Sequence, residues 1–234
     1  MTEIWSYLAQ QPLLWLSATL AAYLIGLAVF RALGQRPWAN PSLVAMLLLA
    51  ALLALTDTPF ATYFEGAQFV HFLLGPATVC LALPLYDNLP RVRQAALPLL
   101  VALAVGSVTG ILSVLALGQA FGLGPALMAS LAPKSATAAV AIGVSEQLGG
   151  SPTLTAMMVM MTGLTGAIAA TPLLNALRIR DWRARGFAVG VAAHGFGTAR
   201  AFQVNPTAGA FAGLGMGLNA LLTAILAPLL LGLF

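Results

Sequence analysis

The sequence predicts an all-α, polytopic integral membrane protein. The expected form is a helix bundle of about seven to eight spans, three of them interrupted, with an internal repeat. Three observations predict this class. Of 234 residues, 60% are hydrophobic and only 7% charged, against about 25% charged in a soluble globular domain. A surface so poor in charge must be covered by lipid, and the mean hydropathy of +0.95 agrees. The apolar runs also reach roughly 20 residues, the length that crosses about 30 Å of hydrocarbon as helix. They do not alternate with polar residues as barrel strands would. A single transmembrane domain over residues 1–234 is expected.

The first span runs from Pro12 to Leu33. Met1 to Gln11 carries no Lys or Arg, so it lacks the basic start of a signal peptide. This run is expected to be a permanent span with its N-terminus outside. The second span is Pro41 to Leu55, followed by Asp57 and Glu65 in a polar connection. The third, Phe60 to Tyr86, is interrupted at Gly75-Pro76, and Asp87 to Arg93 forms a polar loop. The fourth is Ala95 to Leu117. The fifth, Gly124 to Leu148, is interrupted at Ala132-Pro133-Lys134-Ser135. The sixth is Pro152 to Leu177, and Arg178, Arg180, Asp181, Arg183 and Arg185 make the most basic loop after it. The seventh, Phe187 to Val204, is interrupted at His194-Gly195-Phe196-Gly197. The last runs from Pro206 to Phe234.

Breaking a helix in hydrocarbon frees backbone N–H and C=O groups, which is tolerated only where protein or a water-filled cavity satisfies them. One break reads as a kink repaired by neighbours. Three breaks, each followed by polar residues, point to a functional cavity. A weak repeat agrees, with candidate units over residues 58–118 and 119–177. Aligning Pro76 with Pro133 sets Thr78 against Ser135, Ala82 against Ala139, and Gly106 against Gly163. Transporters are often built from such repeats, although chance competes in an alphabet of Ala, Leu and Gly. Simple alternation places Arg178 to Arg185 on the opposite side from Arg91 and Arg93, against the positive-inside rule. A re-entrant hairpin over residues 124–150 restores agreement.

Lys134 is the sharpest single residue. It follows Pro133 in an apolar region, where an ionisable group is costly and points to function. A half-helix N-terminus adds partial positive charge and free N–H groups. Lys134, Ser135 and Thr137 together make a candidate carboxylate site, with Thr78 as the first repeat's counterpart of Ser135. The competing reading of Lys134 is a cation snorkelling to the interface. In the His194–Arg200 segment, Arg200 and Thr198 are further candidate substrate ligands, since Arg grips a carboxylate bidentately. His194 and Glu146 are candidates for proton coupling. The competing readings are a packing role for His194, an anchor or a Glu146 partner for Arg200, and a solvated helix end for Glu146.

Other functions find no support. The formal charge of +4 is too sparse for nucleic acid and reads as topology marking. One cysteine, Cys80, supports neither a disulfide nor a metal cluster. No nucleophile elbow, HExxH zinc motif or P-loop is present. No cofactor or metal is expected, and the protein is expected not to be an enzyme.

Several segments resemble one known family. They are Leu74-Gly75-Pro76-Ala77-Thr78 leading to Ala82-Leu83-Pro84-Leu85-Tyr86, and Pro133-Lys134-Ser135 leading to Ser145-Glu146-Gln147-Leu148-Gly149-Gly150. Later come His194-Gly195-Phe196-Gly197-Thr198-Ala199-Arg200-Ala201 and Gly209-Ala210-Phe211-Ala212-Gly213. In this order the chain resembles the CidB/LrgB family over nearly its whole length. The resemblance implies a multi-pass protein of the bacterial inner membrane that works with a small LrgA/CidA-like partner. It implies transport of small monocarboxylates of the glycolate, glycerate or pyruvate kind, or holin/antiholin-like control of murein hydrolase activity and lysis. The expected function is a transporter of small organic anions working by alternating access, with the holin-like regulator as the alternative. After Pro133-Lys134-Ser135 the chain departs from the family's usual wording, with Ala136-Thr137-Ala138-Ala139-Val140 in place of a Thr- and Pro-bearing stretch. Expected partners are membrane lipid, a small carboxylate, the LrgA/CidA-like protein and, for a homo-oligomer, further copies of the chain.

Overall fold

The computed structural model describes residues 11–73, 76, 79–80 and 82–234, all helix, turn or coil with no strand among them. The expected break at Gly75-Pro76, Thr78 with it, and the first ten residues lie outside the described residues or at their edge. The first candidate repeat unit runs through the same region. Helices are numbered in chain order: α1 Pro12–Ala32, α2 Pro41–Leu55, α3 Phe60–Phe72, α4 Ala82–Asp87, α5 Leu89–Gln94, α6 Ala96–Ala120, α7 Pro125–Leu131, α8 Ala138–Gln147, α9 Pro152–Ala176, α10 Trp182–Val204 and α11 Pro206–Leu231. Among the described residues, α1, α6, α9 and α11 are long and apolar enough to cross a membrane. The protein is therefore a multi-pass helical membrane protein. The chain divides into two compact units, residues 1–80 and 81–234.

In the first unit, Pro12 starts α1 at the position where a missing N–H costs nothing. Asn40 caps α2, its Oδ1 accepting from Ser42 N at 2.9 Å. Trp15, 1% exposed, meets Tyr63 edge-on with centroids 5.9 Å apart. Thr19 Oγ1 lies 3.2 Å from the Tyr63 hydroxyl, tying α1 to α3.

The second unit contains two helical hairpins that enter from opposite ends. The first is α7–α8. The chain turns at residues 132–137, and Met128 and Ala132 pack against Val144. A polar node locks the open end of this hairpin to α9. Thr155 Oγ1 lies 2.7 Å from Ser145 Oγ and 3.1 Å from the Ser130 carbonyl, and Ser151 N donates to Ser130 Oγ at 2.7 Å. Ser130, Ser145 and Thr155 are fully buried. A Cβ on Gly150 would stand 2.9 Å from Ser130 N, so only glycine lets the helix ends of this node close.

The second hairpin lies within α10. Ala193 (φ −130°, ψ 17°) and His194 (φ +38°, ψ −130°) leave helical geometry. A positive φ on a non-glycine residue costs about 1–3 kcal/mol and persists only where packing imposes it. The chain then doubles back. A Cβ on Gly197 would stand 2.7 Å from Val189 Cγ1, although eight residues of straight helix span about 12 Å. Gly186 and Gly190 press directly on the carbonyls of Ala208 and Ala212. Ala201, on the returning arm, packs on the same two alanines. Both arms of α10 therefore lie along the first half of α11. The expected seventh span, Phe187 to Val204, is corrected in two ways: it begins at Trp182, behind an Asp181 cap, and it returns to its starting end instead of crossing.

The contacts orient the two hairpins. α7 packs on the far end of α6, with Met128 against Gly118, and on the far end of α11, through Ala227 and Leu230. The open end of α10 lies beside the start of α6, where Asp181 and Arg183 share a cavity wall with Gln94 and Ala95. Arg91, Arg93, Arg178, Arg180, Arg183 and Arg185 all belong to this end. The opposite end, at residues 117–125, 147–152 and 231–234, has no Lys or Arg. The re-entrant path over 124–150 thus gathers these loop arginines at one end, with Lys134 left at mid-depth.

Candidate functional site

A cavity of about 710 Å³ opens at the basic end of the second unit and runs between α6, α10 and α11 to the tip of the α7–α8 hairpin. That size falls within the roughly 300–1,000 Å³ of small-molecule sites. Its α6 wall follows one helical stripe, Pro98, Leu99, Ala102, Gly106 and Gly110, with Ala95 just before the helix. The mouth carries Gln94, Asp181 and Arg183. The floor carries Lys134, Ser135, Ser107, Asn219 and Thr223, and an apolar plug of Ile111, Leu115, Met128, Ala132, Val144 and Ala227 closes the far side.

The floor lies near mid-depth. Ser107 and Asn219 sit close to the midpoints of α6 (Ala96–Ala120) and α11 (Pro206–Leu231). Asn219 Nδ2 donates to the Ser135 carbonyl at 3.1 Å, and Ser107 Oγ donates to Asn219 Oδ1 at 2.6 Å. This chain holds the hairpin tip and satisfies a carbonyl that the broken helix leaves free. Lys134 Nζ donates to Ser135 Oγ at 3.4 Å. No carboxylate pairs with Lys134: the one ion pair among the described residues is Arg183–Asp181, at 2.6 Å. The Asp181 carboxylate accepts from Arg183 Nε and Nη2 and from the Arg183 backbone N–H. The guanidinium hydrogen bonds hold its pKa down at about 2.

The structure brings together only part of the expected site. Lys134 and Ser135 face the cavity. Thr137 stands at the N-cap of α8, without a side-chain cap bond, and does not line the cavity. Arg200 lies on the returning arm of α10, in a separate recess with Trp182 and Arg185, and donates to Gln203 Oε1 at 3.3 Å. Thr198 Oγ1 donates to the His194 carbonyl at 2.8 Å, which steadies the first turn after the break. His194 is buried and aimed at α9, with Nε2 2.8 Å from the Val159 carbonyl. A carbonyl only accepts, so Nε2 carries the proton. Glu146 is exposed at the end of α8, away from the cavity. Lys134 and Arg200 therefore do not converge on one cavity.

Sequence reasoning passed over Ser107, Thr223 and the Arg183–Asp181 pair as site residues, and over the Ser130–Ser145–Thr155 node. Asn219 and Thr223, four apart on α11, and Ser107 within an apolar stretch were the available signals. The side each faces is set by packing alone.

Comparison with known proteins agrees with the resemblance drawn from the motifs. No solved structure matches the chain. It is 36% identical over 196 residues to the uncharacterized protein YwbG of Bacillus subtilis, covering 84% of this chain and 87% of the relative. It is 34% identical over 198 residues to the holin-like protein CidB of Staphylococcus aureus strain N315, covering 85% and 86%. A second Bacillus subtilis protein, YxaC, is 35% identical over 216 residues, covering 92% and 94%. The sequence model of the LrgB-like family matches residues 19–233, and the chain belongs to that family.

Proposed function

We propose that this chain is a holin-like component of the bacterial cytoplasmic membrane. In this role it controls murein hydrolase activity and lysis together with a small LrgA/CidA-like membrane protein. The holin-like designation of the CidB relative supports this reading. Gathering the basic residues at one end supports placing that end in the cytoplasm. The test is a chromosomal deletion, scored for autolysis rate and for co-purification of the neighbouring small membrane protein. An unchanged lysis rate, with no partner recovered, refutes it.

The cavity favours a second reading, transport of small organic anions by alternating access, with no enzymatic step. The observation that carries it is Lys134 on the cavity floor, at mid-depth, with no carboxylate beside it. Lys134 is half-buried, an ionisable group at membrane depth without a counter-ion is costly, and a bound carboxylate would supply that counter-ion. Hairpins that meet near the midplane from opposite ends are a recurring transporter arrangement. On this reading the two hairpins replace two of the seven to eight spans, and the cavity is the cytoplasm-facing access route. Uptake of labelled glycolate, glycerate, lactate and pyruvate into proteoliposomes tests it. Lys134→Gln should abolish uptake, while Arg200→Gln should reduce it far less. The holin-like reading instead predicts that Lys134→Gln leaves lysis control intact.

A further inference from the structure

The charges lining the cavity are few enough to count. Lys134 stands at the floor. Arg183 and Asp181 stand at the mouth and are committed to each other through three side-chain hydrogen bonds and the shared α10 cap. The cavity therefore offers one uncompensated positive charge, and that charge is at the closed end. Between floor and mouth the walls are apolar, with Leu99, Ala102, Phe187, Ala188 and Val191 among them. Along α10 the lining residues run from Arg183 to Ala192, about 13 Å of helix.

We infer that Asp181 sets the charge selectivity of this cavity: by occupying Arg183 it restricts the site to monoanions with an apolar remainder and excludes dianions. This rests on the anion reading of the cavity. A monocarboxylate can place its charge on Lys134 and its hydrocarbon along the apolar wall. A dicarboxylate of the same length must leave its second charge among apolar side chains, or else compete with Asp181 for the Arg183 fork. A carboxylate held well below the ordinary carboxylate pKa range stays ionised at neutral pH and keeps that fork occupied.

Asp181→Asn is the informative change. Asparagine caps a helix as well as aspartate does, so the start of α10 survives. The guanidinium is then freed for a second carboxylate, which it can accept bidentately. Binding of octanoate and suberate, and of hexanoate and adipate, is measured on the purified full chain by titration calorimetry at neutral pH. In the wild type the dianion of each pair is expected to bind at least tenfold more weakly than the monoanion. Asp181→Asn should shrink that ratio at least tenfold, and Asp181→Asn/Arg183→Gln should restore it. Thermal unfolding of each variant confirms that it is folded. If monoanions bind in a Lys134-dependent way while the ratio is equal in wild type and Asp181→Asn, this inference is overturned and the anion reading stands. If neither anion binds, or if binding ignores Lys134→Gln, the anion reading falls and this inference with it.

Discussion

Thr155→Val tests whether the buried hydroxyl node holds the α7–α8 hairpin on α9. Valine keeps the shape of threonine and removes one hydroxyl. Thr155 is fully buried, and its Oγ1 lies 2.7 Å from Ser145 Oγ, 2.9 Å from the Ser151 carbonyl and 3.1 Å from the Ser130 carbonyl. The hydroxyl has one proton, so it donates to one neighbour and accepts from another. Side-chain hydrogen bonds within membrane proteins average about 0.6 kcal/mol and reach about 1.7. A buried partner left unsatisfied adds to that, bringing the loss to roughly 1–3 kcal/mol. The second unit holds about 150 residues, a size at which 1 kcal/mol moves Tm by about 2–4 °C in soluble domains. A fall of roughly 2–12 °C is expected for unfolding in detergent micelles. Ser145→Ala should cost less in the Thr155→Val background than in the wild type, with a coupling of about 0.5–2 kcal/mol. An unchanged Tm, together with additive single and double substitutions, would refute the idea that this node holds the hairpin.

Three further outcomes follow from the same geometry. Gly190→Leu drives a side chain into the Ala212 carbonyl, a backbone atom that cannot move aside. It should cost at least about 2 kcal/mol and sharply lower the yield of folded protein from detergent, whereas Gly143→Ala, which meets nothing within 4 Å, should not. In a Cys80→Ser background, Arg183→Cys and Gly122→Cys should be labelled by a membrane-impermeant thiol reagent from opposite faces, with Arg183 cytoplasmic. Labelling of both from one face would refute the opposed hairpins. The Asp181 carboxylate has a pKa of about 2, below the ordinary 3.8, so its contribution is fully present above about pH 4. It is lost as pH falls towards 2. The ion pair is nearly half exposed and screened by solvent, so its contribution to stability is small. The Tm difference between wild type and Asp181→Asn should therefore shrink between pH 6 and pH 3.

Much of this fold was legible in the chain itself. The limits of α1, α2, α9 and α11 follow from the proline at each start and from the length of each apolar run, both local properties. Low charge dictated lipid as the solvent, and the clash between Arg178–Arg185 and simple alternation pointed to a re-entrant path over 124–150 as one way to restore the charge rule. The break at His194 was also visible, because Gly195 and Gly197 flank it. Its consequence was not. Whether a break is a kink or a reversal depends on what each arm packs against, and here the glycine contacts of Gly186 and Gly190 with Ala208 and Ala212 pull both arms onto α11.

The same limit governs the site. Lys134 and Ser135 announced themselves, since a lysine after proline in an apolar run has few structural uses. Arg200 carried the next local signal, but the reversal of α10 carries it into another recess. Asp181 and Arg183 read as loop charges and proved to be the cavity mouth, because the start of α10 lies beside the start of α6. Composition and spacing determined which residues are costly to bury and where helices stop. Only the tertiary packing decided which of those residues share a cavity, because convergence depends on contacts between helices far apart in sequence.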